Sequence, residues 1–370
     1  MATTRSGQTG LLESIVTLVP ETYRSRQFWV QTADHGEILT ADLDPMQDGS
    51  VCVRTCYSGI SRGTETLVFR GEVPQSQHAL MRAPFQEGDF PGPIKYGYQN
   101  VGEVVEGPPG LRGQTVFCLY PHQDVYTVPA SDVCVLPDGV PAGRAVLAAN
   151  METAVNIVWD ASPGVGDRVV VVGAGVVGLL VAWLCRQIAG TEVVTIDPNP
   201  TRRSIAEALG VSWIADPTAG DLMDHEVTGA DVVVHASGYP AGLVTALSLA
   251  GTEAVVVEAS WFGTRPVTVP LGERFHSQRL TIKSSQVGRL PPTRQPRWTH
   301  RRRMELALRL LRDPVLDTLI SGESEFDDLP QVMRRLSREP GDTLCHRIRY
   351  PGAKAHKGQS LPHVTNRPQG

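Results

Sequence analysis

Long hydrophobic runs are missing from this 370-residue sequence. The apolar stretch without a charge at residues 169–185 falls short of the roughly 20 residues that a membrane span needs, and it is interrupted by three glycines. The opening MATTRSGQTG lacks the apolar segment of a secretory signal, so a soluble, cytoplasmic protein is expected. Charge of one sign is also lacking: 34 Lys and Arg against 39 Asp and Glu leave a net −5, which gives no footprint for nucleic acid or an anionic membrane. The six cysteines (Cys52, Cys56, Cys118, Cys134, Cys185, Cys345) are scattered and form no CxxC pair. That argues against a disulfide scaffold or a cysteine-built zinc module and for small buried thiols. Cys118 with His122 offers two metal donors, too few for a site. Internal repeats and heptads are absent. What remains is an ordinary globular composition, 41 % hydrophobic and 20 % charged, in a chain long enough for two domains.

The chain changes character near residue 160. Before it, short β-type runs at 50–57, 100–105, 115–119 and 125–128 are punctuated by turn clusters such as Glu106-Gly-Pro-Pro-Gly110. A helix is expected over 142–160. After it, strands at 168–172, 191–196, 231–235, 254–258 and 280–284 alternate with helical patterns beginning at Val177, Arg202 and Gly242. This predicts an α/β protein whose second part is a Rossmann-type, doubly wound parallel sheet. Residues 289–297, rich in Pro and Arg, read as a linker, followed by helices at 300–312 and 327–337 and a last strand at 345–350. The first ten residues and the tail after 350 are expected to be disordered.

Gly173-Ala174-Gly175-Val176-Val177-Gly178 fits G-x-G-x-x-G directly after a buried strand and at the start of a helix, the context in which this motif holds a pyrophosphate. Asp197 follows at the end of the next strand, where a carboxylate bonds the adenosine ribose hydroxyls and repels a 2′-phosphate, favouring NAD over NADP. Arg202 lies close enough in sequence to soften that preference. An ordinary helix cap is the alternative reading of Asp197.

A β-rich first part, a central dinucleotide unit and a C-terminal segment resemble the medium-chain dehydrogenase/reductase superfamily of zinc alcohol dehydrogenase type. The resemblance covers residues 15–350 and implies a GroES-like catalytic domain at 11–156, a Rossmann NAD-binding domain at 157–290, a return to the catalytic domain at 291–350 and a tail at 351–370. The family's zinc-ligand turns align with Gly59-Ile-Ser61-Arg-Gly-Thr-Glu65 and Gly97-Tyr98-Gln99, and its third ligand with Ala149 or Asn150. Ser, Tyr and Gln are poor zinc ligands, so no metal is expected. Ser58 to Glu65 and Gly97 to Gly102 are most similar to the zinc-ligand-lacking branch that contains bacteriochlorophyllide 3-hydroxyethyl dehydrogenase, which implies oxidation of a secondary alcohol. The resemblance also places Thr153 by the nicotinamide, puts Ala259, Ser285 and Val287 where backbone groups meet its carboxamide, and adds Ser237 to the cofactor set. It implies a homodimer or homotetramer, paired through an edge strand that 254–258 or 266–269 would supply.

Hydride transfer without zinc needs hydrogen-bond donors to polarise the substrate oxygen. Tyr98 is the expected proton donor or acceptor, Ser61 its support, and Lys95 the charge that lowers the tyrosine pKa. Glu152 is a candidate base, or else the buried partner of an arginine. His122 is placed near the substrate cleft. A core tyrosine, a turn serine and a surface lysine are the alternatives for Tyr98, Ser61 and Lys95. The basic run from Arg294 to Arg303 suits an anion or a solvated helix face. The expected function is an NAD(H)-dependent, zinc-independent interconversion of a small-molecule alcohol and a ketone. The alternatives are a zinc-free enoyl or quinone reductase using NADPH and a non-catalytic dinucleotide-binding protein.

Overall fold

Strand pairing divides the chain into two parts. The computed structural model describes residues 24–215 and 227–352. The first ten residues and the tail after 352, expected to be disordered, lie outside the described residues.

The first part holds β1 (Arg24–Thr32), β2 (His35–Asp42), β3 (Ser50–Ile60), α1 (Arg62–Phe69), β4 (Glu87–Gly88), β5 (Ile94–Lys95), β6 (Asn100–Glu106), β7 (Thr115–Cys118), β8 (Val125–Pro129) and β9 (Val133–Val135). The helices α2 (Ala142–Ala145) and α3 (Ala148–Ala161) lead out of it. The second part runs β10 (Arg168–Val172), α4 (Val176–Arg186), β11 (Glu192–Ile196), α5 (Arg202–Ala208), β12 (Ser212–Ile214), β13 (Ala230–His235), α6 (Pro240–Leu249), β14 (Ala250–Glu258) and β15 (Thr281–Ser284). The chain closes with α7 (His300–Leu310), β16 (Ile320–Glu325), α8 (Leu329–Arg338) and β17 (Cys345–Arg349).

The second part is a six-stranded parallel sheet in the order β12-β11-β10-β13-β14-β15. Its central strand shows why: Val169 and Val171 enter one core and Val170 and Val172 another, so β10 is covered on both faces. The chain leaves β10 toward one edge and returns to β13 on the other side, which opens a crevice at the carboxyl ends of these two strands. In the first part β3 is the hub. It pairs with β6 and β8, and also with β17, so the last described strand is built into the first sheet. The whole is α/β, a doubly wound sheet beside a β-rich unit. Among the described residues no helix is long and apolar enough to cross a membrane.

Three expectations need correction. The helix expected over 142–160 is two helices, because the chain turns at the fully buried Val146 and Leu147 to bring Val146 against Gly59. Residues 254–258 cannot supply a pairing edge: β14 is interior, 266–269 is not a strand, and the edges are β12 and β15. Residues 289–297 are no free linker, since Leu290 is buried and Arg294 lies over the Trp159 ring at 5.2 Å.

Candidate active site

The crevice is lined by the glycine turn between β10 and α4. Gly173 has φ +107, and a Cβ there would meet the Ser237 backbone at 2.6 Å. A Cβ on Gly178 would stand 1.9 Å from the Gly173 carbonyl oxygen, so helix and strand pack together only with glycine at that position. Gly175, the N-cap of α4, has nothing within 4 Å of its absent side chain. The free N–H groups of α4 therefore face open space that suits a phosphate, with Val176 and Val177 half-buried in its first turn. Asp197 flanks the turn, its Oδ2 accepting from the Ala174 N–H at 2.8 Å and its Oδ1 from the Asn199 N–H at 2.9 Å. Each oxygen keeps a further lone pair for a ribose hydroxyl. These features fit a dinucleotide.

Cations reach the same crevice from two elements. Arg202 is buried and donates to the carbonyls of Asp342 (2.7 Å) and Thr343 (3.4 Å). Arg62, from α1, donates to the same Thr343 carbonyl at 2.9 Å. Burial pulls its pKa below the usual arginine value, while Tyr239 and Asp197 nearby oppose that effect. Arg62 went unnoticed in the sequence because it lies far from the glycine motif along the chain.

The remaining residues proposed for the cofactor are placed as follows. Ser237 Oγ and the His235 Nε2 are 2.6 Å apart, and His235 Nδ1 meets Glu258 at 2.6 Å. The Ala259 N–H donates to the His235 carbonyl, the Ser285 N–H to that of Glu258, and the Ser285 hydroxyl to Asp160 at 2.7 Å. The Val287 carbonyl accepts from Arg303 at 2.6 Å. The Thr153 hydroxyl donates to the Ala149 carbonyl of its own helix at 2.9 Å.

The second cluster lies in the β-rich part. Ser61 follows β3 and stands at the N-cap position of α1. Tyr98 follows Gly97, whose φ of +141 turns the chain closely past His122. Tyr98 Oη donates to Ser61 Oγ at 2.6 Å. Behind this pair stands Glu65, which the sequence reading missed. Its Oε1 accepts from the Ser61 N–H at 2.8 Å, and its Oε2 is 2.8 Å from His122 Nε2. The signal was there: Glu65 lies four residues past the serine at the N-cap position and so faces back toward it. His122 Nδ1 meets Ser58 Oγ at 2.7 Å, and that hydroxyl meets Tyr350 Oη at 3.0 Å. Burial, then the Glu65 charge, pushes the Tyr98 pKa up to about 12, against the pull of the Ser61 and Thr64 hydroxyls. Tyr98 is therefore a protonated donor at neutral pH. Both nitrogens of His122 are committed within the network.

Lys95 and Glu152 do not join this cluster. Lys95 was expected to lower the tyrosine pKa, or to be a surface lysine. It is fully buried, with its ammonium on Glu87 and on Gln123 at 2.7 Å, 5.5 Å above the Tyr120 ring. Glu152 is no free base: it is buried and paired with Arg303 at 3.1 Å, which opposes the upward push of burial on its carboxyl. Arg303 also bonds Asn156, while Arg301 holds the carbonyls of Ser131 and Val133 and Arg302 stacks 4.1 Å from the Trp298 ring. Much of the basic run is thus tied up within the fold.

The donors at the turn positions are two hydroxyls and the amide of Gln99, a set that does not fit zinc. Among the described residues no three His, Cys, Asp or Glu side chains converge to hold a metal ion. Both amide atoms of Gln99 and the Asn150 Oδ1 are buried without a partner.

Comparison with known proteins agrees with this architecture. The family of zinc-binding dehydrogenases matches residues 176–306, a stretch that includes none of the turn positions Ser61, Tyr98 and Gln99. D-guloside 3-dehydrogenase of Escherichia coli is 27 % identical over 322 residues, 80 % of this chain and 91 % of that one. Among solved structures, L-idonate 5-dehydrogenase from Escherichia coli superposes with a TM-score of 0.73 at 16 % identity, covering 89 % of this chain and 99 % of the other. A Sinorhizobium meliloti protein of the zinc-binding dehydrogenase type, bound to NADP, gives 0.71 at 18 % identity, covering 88 % and 99 %. Residues 176–306 thus match the zinc-binding dehydrogenase family, and in fold and sequence the chain is similar to medium-chain, zinc-type dehydrogenases and reductases.

Proposed function

We propose that the protein is an NAD(H)-dependent oxidoreductase that interconverts a secondary alcohol and a ketone without zinc, using Ser61 and Tyr98 to manage the proton. The observation that carries this reading is the 2.6 Å hydrogen bond from Tyr98 to Ser61 at positions that align with zinc ligands in related enzymes. The nicotinamide dinucleotide, when bound, supplies hydride acceptance and donation. The glycine turn and the α4 N-terminus hold its phosphates, Arg62 adds positive charge, and Asp197 takes the ribose hydroxyls and opposes a 2′-phosphate.

The proton side follows from the direction of one bond. Because Tyr98 donates to Ser61, the serine's own hydrogen is free to point at a substrate oxygen. In ketone reduction Ser61 gives its proton to the developing alkoxide and takes the tyrosine proton in exchange. The tyrosinate left behind regains its proton from solvent before the next turnover, and alcohol oxidation, which runs the two transfers backwards from the tyrosinate, is therefore favoured as pH rises. Glu65 fixes the Ser61 backbone and keeps Tyr98 protonated, and His122 and Ser58 hold Glu65 in place from behind.

Two of the proteins named above are a D-guloside 3-dehydrogenase and an L-idonate 5-dehydrogenase, and the unpartnered Gln99 amide and Asn150 Oδ1 would gain partners from a polyhydroxylated substrate. Sugar alcohols and their ketoses are the first substrates to assay. The purified protein should reduce a ketose with NADH without added zinc, and a chelator should leave the rate unchanged. Loss of activity on chelation, restored by zinc, overturns the zinc-free reading. Turnover of enones with NADPH but of no alcohol or ketone overturns the assigned reaction. We also read the chain as a cytoplasmic homodimer paired through β15. Light scattering at a monomer's mass would remove the dimer.

A further inference from the structure

We infer that Asp342, which belongs to the C-terminal segment and not to the nucleotide-binding sheet, is a second cofactor-specificity residue, placing a negative charge where a 2′-phosphate would have to approach. This rests on the dinucleotide reading of the crevice and goes beyond it.

Asp197 and Asp342 grip opposite ends of one residue. Asp197 Oδ1 accepts the backbone N–H of Asn199 at 2.9 Å, and the Asn199 side-chain Nδ2 donates to Asp342 Oδ1 at 2.8 Å. Thr201 Oγ1 donates to the same Asp342 oxygen at 3.0 Å. These two donors stabilise the charged form and hold the Asp342 carboxyl below its ordinary range. Two carboxylates thus stand on either side of the ribose-facing turn.

The same segment also occupies the nearby cations. Arg202 is the side chain best placed in sequence to accept a 2′-phosphate after Asp197. Its guanidinium is turned onto the carbonyls of Asp342 and Thr343, and the Thr343 carbonyl takes Arg62 as well. Carbonyls hold arginine's directional donors without neutralising its charge, so Asp197 and Asp342 are the carboxylates that offset Arg202 at this turn, and removing either charge leaves the cation to attract a phosphate. A phosphate carrying nearly two negative charges would meet both.

The test is fluorescence titration of the full chain with NADH and with NADPH at low salt, for the wild type, Asp342→Asn and Asp342→Glu. Asparagine keeps an acceptor oxygen for Asn199 and Thr201, so the contact survives without its charge. Asp342→Asn should bind NADPH about ten-fold more tightly while NADH changes less than about two-fold, and the gain should shrink as salt screens it. Asp342→Glu should keep the wild-type discrimination. A residue that only ties the segment to the nucleotide unit would move both affinities together. That outcome, or an unchanged ratio in a protein that prefers NADH, removes the role of Asp342 and leaves the NAD reading standing. A wild type that prefers NADPH, or binds neither nucleotide, removes both.

Discussion

The proposed nucleotide crevice and the proposed reaction centre are built on opposite plans. The crevice is open: nothing stands within 4 Å of where a Gly175 side chain would begin, at the N-terminus of α4. The reaction centre is closed: Ser58, Glu65 and His122 are almost fully buried, and their polar atoms satisfy one another. An open site is defined by what is left out, and it tolerates change except where backbone meets backbone. A closed network holds two working hydroxyls in one geometry, so each member is felt by the others.

The largest effect should come from the closed site. Ser61→Ala and Tyr98→Phe should each lower kcat by about 10²–10⁴-fold, the range for loss of a positioned proton donor, with NADH binding unchanged by titration. If turnover survives both changes, the hydroxyl pair is a structural contact. Next in size is the backbone contact of the crevice. Gly178→Ala forces a methyl onto the Gly173 carbonyl and should cost about 1–3 kcal/mol in denaturant unfolding. Gly175→Ala fills only open space, so it should weaken NADH binding with stability unchanged. If the two alanine variants behave alike, the contrast between a packed and an open glycine fails.

Glu65→Gln probes the electrostatics of the closed network. The Glu65 charge raises the Tyr98 pKa, so removing it lowers that pKa. Ketone reduction needs the protonated tyrosine and is lost as pH rises through its pKa. The alkaline fall in the reductase pH profile should therefore move to lower pH in the variant. A fall that stays put would mean that another group sets it. Lys95→Met should leave the position of this fall unchanged, because the ammonium sits on Glu87 and Gln123. The smallest effect is expected at Gln99→Leu. Losing an unpartnered buried amide should leave the melting temperature equal or slightly higher while KM for a polyol rises.

The same contrast explains what could be read from the sequence. The parallel sheet announced itself in the valine run of β10 and its alternation with helices, and the glycine motif and Asp197 lie within a short stretch of chain. The reaction centre is assembled from residues on β3, α1, the turn before β6, the turn before β8 and the segment after β17. The alignment of zinc turns pointed to Ser61 and Tyr98, but reading 59–65 as a metal turn hid the start of a helix, and with it Glu65 and Arg62. Lys95 was misplaced because a lysine near a tyrosine in sequence says nothing about which face of a short strand it occupies. β5 sends it into the β-rich core, where Glu87 and the Tyr120 ring satisfy it.

One bond carries a consequence for how this molecule is made. Tyr350 meets Ser58 across 292 positions of chain, and β17 pairs with β3 just beside them. On a ribosome, the segment that bears Ser61 and Glu65 emerges early and waits, its sheet unfinished, until almost everything else has been translated. The nucleotide unit needs nothing from that last strand to pair its six strands. Nascent chains stalled before residue 345 should therefore acquire a dinucleotide pocket while still lacking a finished catalytic one.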